Sequence, residues 1–306
     1  MIKLGGRRFF SGTTRICSSF HEIQRFTIND IREKFSKSQP ISMVTAHDFI
    51  TGKFCQDANI DINLVGDSLA MVALGYEDTN EITFDEFLFH VKSVSRGNSK
   101  SLLIADLPFG SYEISPQQAL TSSIRLIKEG RAQGIKLEGG EEIVPTIKSI
   151  VKAGIPVMGH VGLTPQRHNS LSGFKLQGNT VESALRIYND CMALQKAGVF
   201  SIVLECIPNK LAEIITSKLS VPTIGIGAGP YCSGQVLVMA DLLGMNGPVD
   251  AKKSKFVKQY SNFYELAVKG LESYKHEVSN RSYPESDAHG YKIKKDVLQE
   301  FRKMIE

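Results

Sequence analysis

Five short apolar runs in this sequence end, one after another, in a side chain that can ionise. INLVG (62–66) is followed by Asp67, SLLIA (101–105) by Asp106, IKL (135–137) by Glu138, IPVMG (155–159) by His160 and SIVL (201–204) by Glu205. Chance would place an acid after one or two strands. Five in succession suggest a ring of functional groups at one rim of a sheet. Carboxylates that converge repel one another unless a cation sits between them. Asp67, Asp106 and Glu138 therefore read as an oxygen-donor site, and hard oxygen donors without imidazole or thiolate favour Mg2+ over zinc. Taken singly, each acid also has a plainer reading as a helix N-cap or a solvated loop residue.

Lys136 lies two residues before Glu138, so both side chains leave the same face of one strand. There it could neutralise the acids, hold a substrate carboxylate, or form a salt bridge inside the core. His160 reads as a site residue or as a buried, hydrogen-bonded histidine. Glu205, on a later strand, stands apart from the other acids as a candidate free base. Burial and neighbouring acids would raise its pKa into a useful range, and its plainer reading is a salt-bridge partner. The neighbouring Cys206 has no local histidine partner and reads as a small buried hydrophobe rather than a nucleophile.

The elements that must position these groups alternate along the chain. ISMVTA (41–46) and PTIGI (222–226) add strands to the five above, and VLVMA (236–240) is an eighth strand or a helix, since it lacks alternation. Between them lie helical stretches. Thr27 to Asp30 and Thr83 to Glu86 have capping-box character, Ser115-Pro116 supplies an N-cap and an N1 proline, and Asp48 to Ala58 reads as a helix. Further helices are expected over 254–272 and at the C-terminus (KIKKDVLQEFRKMIE). Continuous apolar runs alternating with helices imply a buried parallel sheet. Seven or eight such units over some 220 residues match a single-domain (β/α)8 TIM barrel, whose active sites lie at the C-terminal ends of the strands. A doubly wound open sheet is the alternative. Gly225 to Gly229 departs from the dinucleotide fingerprint and reads as a tight turn at the rim. The polar stretch 172–178 is a mobile lid or an inert loop.

Composition narrows the class. The hydrophobic fraction is 42% and the charged fraction 22%, ordinary values for a globular protein. No run approaches the ~18 apolar residues of a membrane span, so no membrane partner is expected. The net charge of +4 resides in residues 1–20, where Lys3, Arg7, Arg8 and Arg15 meet no acid. A nucleic-acid partner is not expected, because the remainder has no basic surplus. The five cysteines are scattered and lack CxxC spacing, which fits neither a disulfide framework nor a zinc site. The Arg- and Ser-rich, acid-free start has the composition of a mitochondrial transit peptide, with a disordered basic tail as the alternative. The expected organisation is a leader over 1–24, a catalytic barrel over 25–291 and a helical extension over 292–306. The expected compartment is the mitochondrial matrix, or else the cytoplasm. Position alone suggests metal-assisted chemistry on a small 2-keto acid.

Longer strings add a resemblance. LVGDSLAM (64–71), ADLPFGSY (105–112), KLEGG (136–140), GHVGLTPQ (159–166), LECIP (204–208) and IGIGAG (224–229) occur in the order found in ketopantoate hydroxymethyltransferases. The chain resembles that family over about residues 27–291. The resemblance implies a barrel of the phosphoenolpyruvate/pyruvate superfamily. It also implies transfer of a hydroxymethyl group from 5,10-methylenetetrahydrofolate to 3-methyl-2-oxobutanoate, giving 2-dehydropantoate through an enolate stabilised by Mg2+, a step toward pantothenate. By the same resemblance the metal falls to Asp67, Asp106 and Glu138. The keto acid falls to Asp67, Ser68, Asp106 and Lys136 with His160 close by, and the proton to Glu205. A homo-oligomer of decamer type is implied as well. Two departures concern substrate packing: His47 and Phe174 stand where tyrosine is common.

Overall fold

The computed structural model describes residues 25–248 and 254–306; the expected leader over 1–24 lies outside them. Eight parallel strands run in chain order: β1 (Ile41–Thr45), β2 (Ile62–Val65), β3 (Leu102–Asp106), β4 (Gly134–Glu138), β5 (Val157–Gly162), β6 (Ser201–Glu205), β7 (Thr223–Ile226) and β8 (Gly234–Leu237). Each pairs with the next, and β8 pairs back onto β1, so the sheet is a closed barrel. The fold is the expected (β/α)8 barrel, and closure rules out the open doubly wound sheet.

The helices before and between the early strands are α1 (Ile28–Ser36), α2 (Phe49–Asp57), α3 (Leu69–Val72), α4 (Phe84–Gly97) and α5 (Pro116–Lys128). Then come α6 (Val144–Lys152), α7 (Val181–Ala197), α8 (Asn209–Lys218) and, directly after β8, the short α9 (Met239–Leu243). Local sequence sets several of their starts. Thr27 with Asp30, Asp48 with Thr51, Thr83 with Glu86 and Thr180 with Ser183 form capping boxes that occupy the first free N–H groups. Ser115 caps α5 in front of Pro116.

Strand side chains alternate between two apolar layers. One cluster, including Met43, Ile62, Leu64, Leu102, Ile104, Met158, Val203, Ile224 and Val236, fills the barrel interior. The other, including Val65, Leu103, Ala105, Leu137, Val157 and Leu204, meets the helices. Both faces are dry, which explains why the strands read as continuous apolar runs. Fully burying a side chain such as Leu102 or Ile104 contributes about 1.5–3 kcal/mol. Two positions further along each of three strands, the same inward face carries Asp106, His160 and Glu205.

Three boundaries differ from expectation. The eighth strand begins at Gly234 and ends at Leu237, and Met239 already belongs to α9, so VLVMA spans a strand end and a helix start. His160 lies inside β5 rather than after it. The helix expected over 254–272 is instead α10 (Phe263–Ser279). The segment before it forms no helix: Tyr260 N donates to Leu242 O, and Tyr264 N, in the first turn of α10, to Gly244 O. Beyond α10 come the single turn α11 (Ser286–His289) and the expected terminal helix α12 (Lys295–Ile305). None of the three contains a buried residue. Among the described residues no helix is long and apolar enough to cross a membrane.

Closure depends on a close approach at the β1–β8 seam. A Cβ at Gly234 would stand 2.4 Å from Ile41 O and 2.7 Å from Ile224 Cδ1. Gly234→Ala should therefore destabilise the barrel by about 1–3 kcal/mol through overpacking. Urea unfolding checks this, and an unchanged midpoint would contradict the seam argument.

Candidate active site

All the ionisable groups singled out by the sequence meet at the C-terminal mouth. Asp106, Glu138 and Glu205 are the last residues of β3, β4 and β6, and Asp67 lies two residues beyond β2. Strand register puts Asp106 beside Lys136, Glu138 beside His160, and Glu205 beside Gly162. Asp67, Asp106, Lys136, Glu138 and His160 are each 5% exposed or less. Glu205 is more open, with 15% of its side chain exposed.

Contacts run continuously across the mouth. Asp67 N donates to Asp106 Oδ2 at 3.0 Å. Lys136 Nζ stands 2.8 Å from Asp106 Oδ1 and 3.4 Å from His160 Nδ1. His160 Nδ1 is also 3.7 Å from Glu138 Oε1, and its Nε2 is 3.3 Å from Glu205 Oε2. An ammonium can only donate, so His160 Nδ1 accepts from Lys136 and the ring proton sits on Nε2, facing Glu205. Ser68 opens α3 without capping it. A Cβ at Gly66 would stand 3.1 Å from Ser68 Oγ and 3.7 Å from Asp106 Oδ2, so this hydroxyl and carboxylate share one wall.

The electrostatics follow from burial. Removal from water pushes the Asp67 carboxyl up to about 7, helped by the charge of Asp106 and opposed by Lys136 and a hydrogen bond from Gln166. Burial, with Asp67 next in weight, pushes Glu138 well above the usual carboxylate range. Burial pulls the Lys136 ammonium down, but Asp106, Glu138 and Asp67 outweigh it and leave it above its ordinary value. One ammonium thus stands among three carboxylates, an acidic excess that a divalent cation would balance. The donor set is all oxygen and suits Mg2+. Among the described residues no three such side chains already close into a metal cage. Mg2+ usually keeps several waters in its shell, so not all three acids need touch it directly and some can hold it through water.

The sequence reading assigned no role to Gln166 or Tyr112, although both lie in the quoted strings. The Gln166 Nε2 donates to Asp67 Oδ2 at 2.7 Å and to Leu107 O at 2.9 Å, and its backbone N donates to Glu138 Oε2 at 3.1 Å. Tyr112 OH donates to Gln166 Oε1 at 2.6 Å. Neutral amides carry no charge signal, so only the three-dimensional convergence reveals them. Cys206 takes a left-handed backbone with φ of 47°, turning the chain out of β6 directly after Glu205. Burial, then Glu205, pushes its thiol up to about 11, in keeping with a protonated, unreactive side chain.

His47 is half-buried, and burial keeps it below its ordinary pKa. Phe174 stacks on His168 with centroids 5.8 Å apart. Phe174 also lines a cavity of about 840 Å3 that reaches Glu205 and has Met71, Leu163, Leu176 and Phe256 among its walls. A second cavity of the same volume runs along β1 and β8 past Phe35 and Tyr260, away from the acids.

Comparisons with known proteins agree with this architecture. The sequence profile of the family described as ketopantoate hydroxymethyltransferase matches residues 25–286. A 3-methyl-2-oxobutanoate hydroxymethyltransferase of Emericella nidulans is 52% identical, covering 92% of this chain and 80% of its own. Mitochondrial 3-methyl-2-oxobutanoate hydroxymethyltransferase 1 of Arabidopsis thaliana is 48% identical over 91% of this chain and 81% of its own. A Thermoanaerobacter protein of the same name is 48% identical over 86% and 94%. Among solved structures, phosphonopyruvate hydrolase complexed with oxalate and Mg2+ superposes with a TM-score of 0.56 at 13% identity, covering 91% of this chain and 96% of that one. A 2,3-dimethylmalate lyase of the PEP mutase/isocitrate lyase superfamily gives 0.52 at 15% identity, over 84% and 88%. At those identities the likeness concerns the fold.

The raised Asp67 pKa has a consequence for stability without added cation. Its carboxyl titrates near 3.9 when unfolded and about 7 when folded, so between those values the native state holds the extra proton. Stability from this group is therefore lost as pH rises from about 4 to 7. Asp67→Asn removes that loss. In EDTA-treated protein, urea unfolding should show the variant gaining on wild type from pH 5 to pH 8; a constant difference would contradict the assignment.

Proposed function

The chain belongs to the ketopantoate hydroxymethyltransferase family, and from that premise we propose how its own residues carry out the reaction. It is an enzyme that hydroxymethylates 3-methyl-2-oxobutanoate. The finer reading is that the one-carbon unit comes from 5,10-methylenetetrahydrofolate, that Mg2+ assists, and that the product, 2-dehydropantoate, leads to pantothenate. The observation that carries it is the group of buried carboxylates around Lys136, with Glu205 set apart at the edge of an 840 Å3 cavity.

Asp67, Asp106 and Glu138 would hold Mg2+, which when bound supplies Lewis-acid polarisation of the keto group and so acidifies the adjacent C3–H. Lys136 and Ser68 hold the substrate carboxylate: the ammonium faces the mouth from β4, and the hydroxyl faces it from the start of α3. Glu205 accepts the C3 proton. It is the most accessible of the acids, and His160 Nε2 lies 3.3 Å from Oε2 of its carboxylate. The resulting enolate attacks the methylene carbon brought by the folate, which the cavity beside Glu205 admits, its apolar walls suiting a flat ring system. The methylene carries no oxygen, so water first frees that carbon from the folate at the formaldehyde level, both water protons going to the nitrogens of the leaving tetrahydrofolate; attack of the enolate on it then gives an alkoxide, which takes the proton held by Glu205.

Residues 1–24 fit a mitochondrial leader, a reading supported by the acid-free basic run over 1–20 and by the mitochondrial name of the Arabidopsis relative. A homo-oligomer, of decamer type by resemblance, is in keeping with the apolar side chains that α10 and α12 leave exposed.

Two measurements test the reading. Assay with 3-methyl-2-oxobutanoate and methylenetetrahydrofolate should give activity that EDTA abolishes and Mg2+ restores; turnover surviving thorough chelation would remove the metal from the mechanism. Glu205→Gln should still bind keto acid yet lose C3–H exchange in D2O, with kcat falling by about 10²–10⁴ as expected for a missing general base. Exchange at the wild-type rate would reassign the base.

A further inference from the structure

The acids at the mouth need an agent that points their oxygens, because charge alone drives Asp67, Asp106 and Glu138 apart. Lys136 answers for Asp106 through its 2.8 Å contact. For Asp67 and Glu138 the nearest fixed donors both come from one neutral residue. Gln166 lies in the 3-10 turn Pro165–Arg167 after β5 and is 3% exposed. Its side-chain N–H groups are both used, one on Asp67 Oδ2 and one on Leu107 O. Its backbone N–H is used on Glu138 Oε2, and its own carbonyl accepts from Asn80 Nδ2 at 3.1 Å.

The direction of the amide is determined by its partners. Both groups facing Nε2 are acceptors, whereas the group facing Oε1 is the Tyr112 hydroxyl, a donor at 2.6 Å. Turning the amide over would set its oxygen against a carboxylate and a carbonyl, so one orientation survives. Tyr112 is itself buried, which makes the hydroxyl a fixed peg rather than a solvent contact.

We propose that Gln166, keyed by Tyr112, is the positioning residue of the cation site: it holds one oxygen of Asp67 and one of Glu138 and leaves each acid's other oxygen facing the mouth. The inference rests on the reading of these acids as cation donors. Gln166 touches neither substrate nor reacting atoms and acts through the carboxylates it orients. Outer-shell partners of this kind change metal affinity by about 10–100-fold when removed.

The test measures Mn2+ binding directly, by electron paramagnetic resonance, on the full chain without substrate. Gln166→Met keeps the side-chain length and the backbone N–H while deleting the amide. Tyr112→Phe deletes the peg together with the hydroxyl's 3.2 Å contact to Glu138 O. Gln166→Met should weaken Mn2+ binding by about 10–100-fold, and Tyr112→Phe should weaken it in the same direction by less. Added Mn2+ should restore much of kcat in both, and KM for the keto acid should move less than the cation constant. Unchanged Mn2+ affinity in a folded Gln166→Met protein would overturn the proposal. Should that variant fail to fold, unchanged affinity in Tyr112→Phe would overturn it equally. Wild-type protein that binds no Mn2+ would instead overturn the cation reading beneath it, and the positioning role with it.

Discussion

Burying charge without water is the constraint around which this barrel is arranged. Asp67, Asp106 and Glu138 are almost wholly withdrawn from solvent, and among the described residues one ammonium, that of Lys136, lies between them. In a medium of low polarity such a set holds together only if donors aim at every oxygen that can be reached. The surrounding structure supplies many of them: the backbone of Asp67 and the ammonium of Lys136 for Asp106, and Gln166 for Asp67 and Glu138. The raised pKa values of Asp67 and Glu138 express the part of the imbalance that the protein leaves uncorrected.

That residual imbalance is also what makes the mouth useful. A site fully neutralised by its own side chains would have no call for a cation and no field with which to grip a keto acid. Here Asp106, Glu138 and Glu205 sit on strand ends, so their backbone is held by the barrel ladder and not by loops. Glu205 is more open, with 15% of its side chain exposed, as the proposed role of proton acceptor requires. His160, with Nδ1 3.4 Å from Lys136 Nζ and Nε2 3.3 Å from Glu205 Oε2, lies between the two halves.

Much of this was legible in the chain. The strand-end pattern located Asp67, Asp106, Lys136, Glu138, His160 and Glu205, because a parallel barrel turns the residue after an apolar run toward its rim. The capping boxes at Thr27 and Thr83 were legible for a similar reason: they are local and need no tertiary partner. Gln166 and Tyr112 were not. They lie 54 residues apart and act as neutral donors and acceptors, so nothing in composition or spacing marks them. The start of α10 was misplaced because the segment before it is held by bonds to the end of α9, a contact that periodicity does not report. VLVMA could not be divided by pattern, since a strand buried on both faces and a short helix share one apolar signature.

The two-residue alternation described for the strands has a consequence for how such a gene can vary. Within β6, Val203 and Glu205 point inward while Leu204 points to the helices. Deleting one codon there would turn Glu205 out into the apolar layer and Leu204 into the mouth, and the neighbouring strands, locked in a closed ring, could not slide to compensate. The strands can therefore drift by exchange of one apolar residue for another but hardly by change of length. Length variation is left to the connections and to the ends, and α12 lies wholly beyond the stretch that the family profile matches.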